Sequence, residues 1–127
     1  MKDILVDTDV LINFLRGKEK TGDFLSTLID EATLSCSAIT VAEIFAGMRE
    51  HERKKTEELL DSLNIIDVDR RIAEKAGNYK NKIKSHHLEI DDCIIAATAF
   101  SENATLATGN GRHYPMTDIE KIIVSSE

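Results

Sequence analysis

Five short apolar runs punctuate the chain: Ile4–Val6, Leu34–Cys36, Ile65–Val68, Thr105–Ala107 and Ile122–Val124. Each is too short for a helix and has the aliphatic, partly β-branched character of a buried strand. Between most of them the apolar positions return at helical spacing. Phe24, Leu25, Leu28 and Ile29 recur in this way, and Ile72, Ala76, Tyr79 and Ile83 fall at offsets 0, 4, 7 and 11. The run Cys93–Phe100 is apolar nearly all round, which marks a helix buried on several sides. Residues 49–58, "REHERKKTEE", are charged throughout, with Glu50 and Lys54 one helical turn apart, and predict an exposed helix or a helix joint. Short apolar strands alternating with helices predict an α/β fold: three layers, α/β/α, around a central parallel sheet of about five strands.

Length and composition sharpen this picture. A chain of 127 residues with 42% apolar content predicts a single globular domain over residues 1–127, large enough to bury about two-thirds of its unfolded surface. No apolar run approaches ~18 residues, so no membrane-spanning helix is expected. Met1, Lys2 and Asp3 lead straight into the first strand without a signal-peptide pattern, and the expected location is cytoplasmic. Cys36 and Cys93 stand in apolar surroundings with no metal-ligand spacing, and read as reduced core thiols. The net charge of −7 argues against a general nucleic-acid binder, yet it is unevenly spread. Residues 70–87 hold Arg70, Arg71, Lys75, Lys80, Lys82 and Lys84 against the single acid Glu74, a stretch compatible with phosphate contact as well as with simple solvation.

Acids interrupt the apolar pattern where the core elements join. In "ILVDTDVLINF", residues 4–14, Asp7 and Asp9 fall where the first strand must stop. Glu43 lies one helical turn into the segment after the second strand, Asp91 and Asp92 open the buried helix, and Asn110 follows the fourth strand by two residues. Ligands of parallel α/β sheets bind outside the carboxyl ends of the strands. Four segments therefore bring oxygen-bearing side chains toward what can be one edge of the sheet.

Each of these residues also has a purely structural reason to be there. One of Asp7, Thr8 and Asp9 can cap the first helix, although capping needs only one of the three. "Thr40-Val41-Ala42-Glu43" has the form of a capping box, with Thr40 as N-cap and Glu43 reaching back. Asp91 and Asp92 suit the positive end of a helix dipole. Adjacent acids at the mouth of a buried helix nevertheless cost desolvation unless something pairs them, and a bound cation does so. Gly109, Asn110 and Gly111 suffice as a turn. His86, His87 and His113 form no triad with a well-placed Ser or Cys. Carboxylates converging without His or Cys favour a hard cation, Mg²⁺ or Mn²⁺. Such an ion relieves their mutual repulsion and supports metal-dependent phosphoester hydrolysis.

Four blocks in order, "ILVDTDVLINFLRG", "SAITVAEIFAG", "LEIDDCIIAATA" and "ATLATGNGRHYP", resemble the signature blocks of PIN-domain ribonucleases, and more narrowly those of VapC-type toxins of prokaryotic toxin–antitoxin pairs. The resemblance spans nearly the whole chain. It implies that Asp7, Glu43 and Asp92 are catalytic and hold Mg²⁺ or Mn²⁺, partly through waters, with Thr8, Thr40, Asp91 and Asn110 in support. Asp92, not Asp91, matches the aspartate before the apolar helix. His113 stands where many relatives carry another acid, which bears on whether a second ion binds. Arg112 and Lys82 are the expected substrate contacts. Also implied are endoribonuclease activity, a homodimer, and inhibition by a VapB-type antitoxin whose basic tail would suit an acidic groove. Two other readings are kept for the structure to decide. In a haloacid-dehalogenase-like phosphatase, "DTDV" would supply Asp7 as nucleophile and Asp9 as acid/base. The other is a non-catalytic module of the same fold.

Overall fold

The computed structural model describes residues 2–126; Met1 and Glu127 of the expected single domain lie outside the described residues. Five parallel strands form one sheet in the order β3-β2-β1-β4-β5. They are β1 (Lys2–Val6), β2 (Ala32–Ser37), β3 (Asn64–Ile66), β4 (Thr105–Thr108) and β5 (Lys121–Ile123). The helices are α1 (Thr8–Leu15), α2 (Glu19–Leu28), α3 (Ala38–Gly47), α4 (Arg53–Asp61), α5 (Arg70–Lys82) and α6 (Ile90–Ser101). All five apolar runs are thus strands, with ends shifted by a residue or two. Val68 leaves β3 and packs against the core instead, and Val124 extends β5 by donating its N–H to Thr108 O at 2.8 Å.

β1 explains the layering. Its side chains alternate across the sheet, as strand geometry requires. Ile4 and Val6 join one apolar cluster with Val10, Leu11, Leu25, Ile44 and Leu60 from α1 to α4. Leu5 joins the other, with Ile72, Ala76 and Tyr79 of α5 and Cys93, Ile95 and Ala96 of α6. Helices therefore cover both faces of a parallel sheet, the three-layer arrangement expected. Ile72, Ala76 and Tyr79 are buried as their spacing predicts, whereas Ile29, the last of its quartet, is 62% exposed because α2 ends at Leu28. Gly17, at φ +76°, supplies the left-handed residue that ends α1 and lets the chain turn into α2.

The charged stretch is a joint: a 3-10 turn over Glu50–Glu52 runs into α4. Its ion pairs differ from the expected Glu50–Lys54, since Arg53 reaches both Glu50 at 2.6 Å and Glu57 at 3.5 Å. Cys36 and Cys93 are buried and free, and burial pushes the Cys36 thiol up to about 11, so it stays protonated.

From β1 the chain moves outward through β2 and β3, then crosses to β4 and β5 on the other side. The strand order reverses at β1, and in parallel α/β sheets it is beyond the carboxyl end of such a strand that ligands bind.

Candidate active site

Asp7 follows the carboxyl end of β1 directly. It is the N-cap of α1, its Oδ1 accepting the Thr8 N–H at 2.8 Å, so the structural role expected for one of these residues falls to Asp7 itself. Its Oδ2 accepts the Thr108 hydroxyl at 2.8 Å, a bond between residues 101 apart in sequence. The side chain is almost sealed, at 6% exposure. Burial, then the charge of Asp9, push its carboxyl from the ordinary range up to about 6, against the help of Thr108, Tyr114 and the Thr8 N–H.

Glu43 is not part of a capping box. α3 begins at Ala38, one turn earlier than a Thr40 cap requires, and its N-cap is Ser37, which accepts the Ile39 N–H at 3.2 Å. Ser37 and Thr40 both satisfy local capping rules, and the strand's end decides between them. Glu43 and Thr40 are thereby free to point outward from α3 toward Thr8. The Thr8 hydroxyl donates to Glu43 Oε1 at 2.7 Å and is hydrogen-bonded to the Thr40 hydroxyl at 2.9 Å. One hydroxyl carries one proton, so Thr8 serves Glu43 while receiving Thr40's. Burial first, then a hydrogen bond with Asp91, push Glu43 up to about 7, with the charges of Asp91 and Asp7 adding to the rise.

α6 brings the third contribution. Asp91 Oδ1 accepts the Asp92 N–H at 3.0 Å and its side chain faces Glu43. Asp92 faces the other way, toward the turn after β4. Its Oδ1 lies 3.4 Å from the Tyr114 hydroxyl and its Oδ2 lies 3.5 Å from His113 Nδ1. Burial and the Asp91 charge raise its carboxyl, partly offset by His113 and Tyr114.

The turn after β4 is pinned from below. Asp9 accepts the Gly109 N–H, at 3.1 Å to Oδ2 and 3.4 Å to Oδ1. A Cβ on Gly109 would stand 2.7 Å from Asp9 Oδ2, so this position needs glycine for the close approach. Asn110 donates its N–H to Thr108 Oγ1 at 3.0 Å, and its Nδ2 lies 3.0 Å from His113 Nε2. Arg112 is exposed on the same turn. Lys82 stands apart at the exposed end of α5, beside Lys75, Asn78 and Tyr79. Much of the basic stretch is committed elsewhere: Lys80 donates to Leu88 O at 2.5 Å, Arg70 pairs with Glu74 and Lys75 with Asp118.

Two residues escape the sequence: Thr108 and Tyr114 touch Asp7 and Asp92 yet look like an ordinary strand residue and an ordinary core aromatic.

Asp7, Asp9, Glu43, Asp91 and Asp92 therefore share one edge. Among the described residues no lysine or arginine is ion-paired with any of them. Nor is any group of three His, Cys, Asp or Glu side chains gathered there as a ready-made metal site. Negative charge crowded without a cationic partner, on hard oxygen donors, fits a hard divalent ion held partly through waters. The covalent phosphatase chemistry fares worse. Asp9, which that chemistry needs as a free acid/base, is instead held by the Gly109 N–H through both of its oxygens.

The chain is similar to known proteins over nearly its whole length. A family profile described as "PIN domain" matches residues 4–118. Ribonuclease VapC10 of Mycobacterium tuberculosis is 37% identical over 115 residues, covering 89% of this chain and 86% of its own. Ribonuclease VapC19 of the same organism is 34% identical, covering 88% and 92%. Among solved structures, VapBC2 from Rickettsia felis, bound to a promoter DNA fragment, matches with a TM-score of 0.88 at 22% identity, over 97% of this chain and 99% of that one. A toxin–antitoxin complex from Klebsiella pneumoniae matches at 0.78 and 28% identity, over 92% and 98%.

Proposed function

Because the chain belongs to the PIN-domain family, and within it to the VapC ribonucleases, we propose that it is a divalent-metal-dependent endoribonuclease acting as the toxin of a type II toxin–antitoxin pair. The observation that carries the metal dependence is the crowding at one sheet edge of acids from separate segments, with the Asp7, Glu43 and Asp92 carboxyls raised and no lysine or arginine paired to them. Asp7, Glu43 and Asp92 would hold Mg²⁺ or Mn²⁺. A bound ion of this kind supplies charge neutralisation at a phosphate and makes water a better nucleophile.

The chain's own residues do the rest. Thr8 and Thr108 fix the Asp7 carboxylate, and Thr8, backed by Thr40, fixes Glu43. Asp91 keeps the first turn of α6 in place by accepting the Asp92 N–H. Asn110 and Arg112, on the turn pinned by Asp9, offer an amide and a guanidinium to an RNA phosphate. Lys82 extends that contact from α5. A guanidinium suits phosphate because it donates in a planar fork.

The partner is a VapB-type antitoxin with a basic tail that meets the acidic sheet edge, and the active form is a homodimer. Similar solved structures are of toxin–antitoxin assemblies, and a chain of net charge −7 attracts a basic segment. Among the described residues no helix is long and apolar enough to cross a membrane.

Purified protein should cleave RNA with Mg²⁺ or Mn²⁺ and stop when EDTA is added. Cleavage undiminished after exhaustive chelation overturns the metal dependence. A folded protein that cleaves no RNA under either condition overturns the nuclease.

A further inference from the structure

Tyr114 is fully buried, yet its hydroxyl ends among the acids. The ring does not need that hydroxyl to be where it is. Its backbone is fixed by its own N–H to Gly111 O at 3.1 Å and by Lys121 Nζ donating to its carbonyl at 2.5 Å. The ring packs in the cluster of Leu5, Leu106 and Met116. A phenylalanine would fill the same space, without a buried polar atom that costs free energy unless it is hydrogen-bonded.

The hydroxyl has one proton to give. Asp7 already has a donor on each oxygen, the Thr8 N–H and the Thr108 hydroxyl. Asp92 has no such pair; His113, more than half exposed, approaches its Oδ2 at 3.5 Å. The hydroxyl neighbours Asp7 as well, but Asp7 keeps its two donors without it, whereas Asp92 Oδ1 has no other side-chain donor among the described residues, so Asp92 is where the phenolic proton does most. Burial and the charges of Asp7 and Asp92 push the Tyr114 phenol far above its ordinary value, so it remains a neutral donor.

We propose that Tyr114 is a positioning residue for Asp92, its hydroxyl holding the carboxylate in the orientation that takes a divalent cation. This rests on the metal-dependent reading above. Groups that orient a ligand rather than bind the ion are commonly worth 10–100-fold in affinity. A contact of 3.4 Å places Tyr114 at the low end.

The test is calorimetric titration of Mn²⁺ into wild-type and Tyr114→Phe protein, without RNA. Wild type should bind, and Tyr114→Phe should bind about tenfold more weakly, with the metal-free melting temperature unchanged. The Mn²⁺ concentration for half-maximal RNA cleavage should rise by the same factor while kcat at saturating Mn²⁺ stays near wild type. Equal affinity in the two proteins overturns the role of Tyr114 and leaves the metal reading standing. Wild-type protein that takes up no Mn²⁺ overturns the metal reading and this role with it. Should Tyr114→Phe fail to fold, a second measurement decides. The chain has two tyrosines and no tryptophan, so in Tyr79→Phe protein Tyr114 is the sole fluorophore. Mg²⁺ should then change its emission intensity, and an intensity unchanged at saturating Mg²⁺ overturns the proposal.

Discussion

Asp92 and Asp118 are each approached by a tyrosine hydroxyl and a basic side chain, and they end in opposite electrostatic states. At the far end of the sheet, Asp118 pairs with Lys75 at 2.7 Å and accepts the Tyr79 hydroxyl at 2.7 Å. Burial acts to raise its carboxyl, but Lys75 and Tyr79 prevail and hold it below the usual range. Lys75 is itself well placed, 3.9 Å over the Phe100 ring. At the carboxyl end of β1, Asp92 has a tyrosine at 3.4 Å and a histidine at 3.5 Å, with Asp91 beside it, and is raised. One end of the sheet neutralises its acid with its own cation. The other leaves its charge for something outside the chain to balance, and that separates a structural ion pair from a binding site.

The sharpest way to break this contrast is to remove one acid from each end. Asp7→Asn should lower single-turnover RNA cleavage by roughly a thousandfold or more, several kcal/mol of transition-state stabilisation. Asp118→Asn should stay within about twofold of wild type, as surface substitutions usually do. Comparable losses from both would mean the two ends do not differ in function.

Among the acids at the carboxyl end of β1, Asp92→Asn should cost on the order of a hundredfold in the same assay and Asp91→Asn less than about tenfold. Equal losses would make Asp91, which faces Glu43, a full partner rather than a support.

Stability should respond to pH in opposite senses at the two ends. Asp7 and Glu43 are raised to about 6 and 7 in the folded chain, against roughly 3.9 and 4.3 when unfolded. Between about pH 4 and 7 the folded form therefore holds more protons, and EDTA-treated protein should lose stability as pH rises through that window. Asp118, being lowered, contributes stability above its unfolded value and loses it only as pH falls through its depressed one. Thermal melts from pH 4 to 8 read the first effect. Mn²⁺ at about a hundred times its Kd should flatten that slope and add about 2.7 kcal/mol. A melting temperature insensitive to both pH and Mn²⁺ would contradict the crowding. The smallest effect belongs to the paired end: Lys75→Gln should cost about 1 kcal/mol or less by denaturant titration, with cleavage unchanged.

The layers of this fold are legible in the sequence because the inner strands, buried on both faces, are near-continuous apolar runs; the edge strands β3 and β5 are largely exposed, yet their paired isoleucines still stand out. The acids are legible as misfits among those runs. Their roles are less so. Thr40 and Glu43 satisfy the local rule for a capping box, but β2 runs on to Ser37, and the helix starts where the strand ends. Thr108 and Tyr114 give no signal at all. A threonine closing a strand and an aromatic in a core are unremarkable until the sheet sets them against Asp7 and Asp92. Ile29 shows the converse, an apolar residue in perfect spacing one step beyond its helix. Lys80, read as one charge of a basic stretch, holds the Leu88 carbonyl just before α6 instead.

The bond from Thr108 to Asp7 also sets a clock. The two residues are 101 positions apart, and the chain leaves the ribosome from the N-terminus at about 5–20 residues per second. Asp7 is thus made roughly five to twenty seconds before its partner on β4. In that interval β1 has only β2 to pair with, α6 and the Asn110 turn are still to come, and the acids cannot assemble. A nascent ribonuclease built in this order is inert beside the RNA of the machine making it, and becomes competent only after the last third of the fold closes over β1.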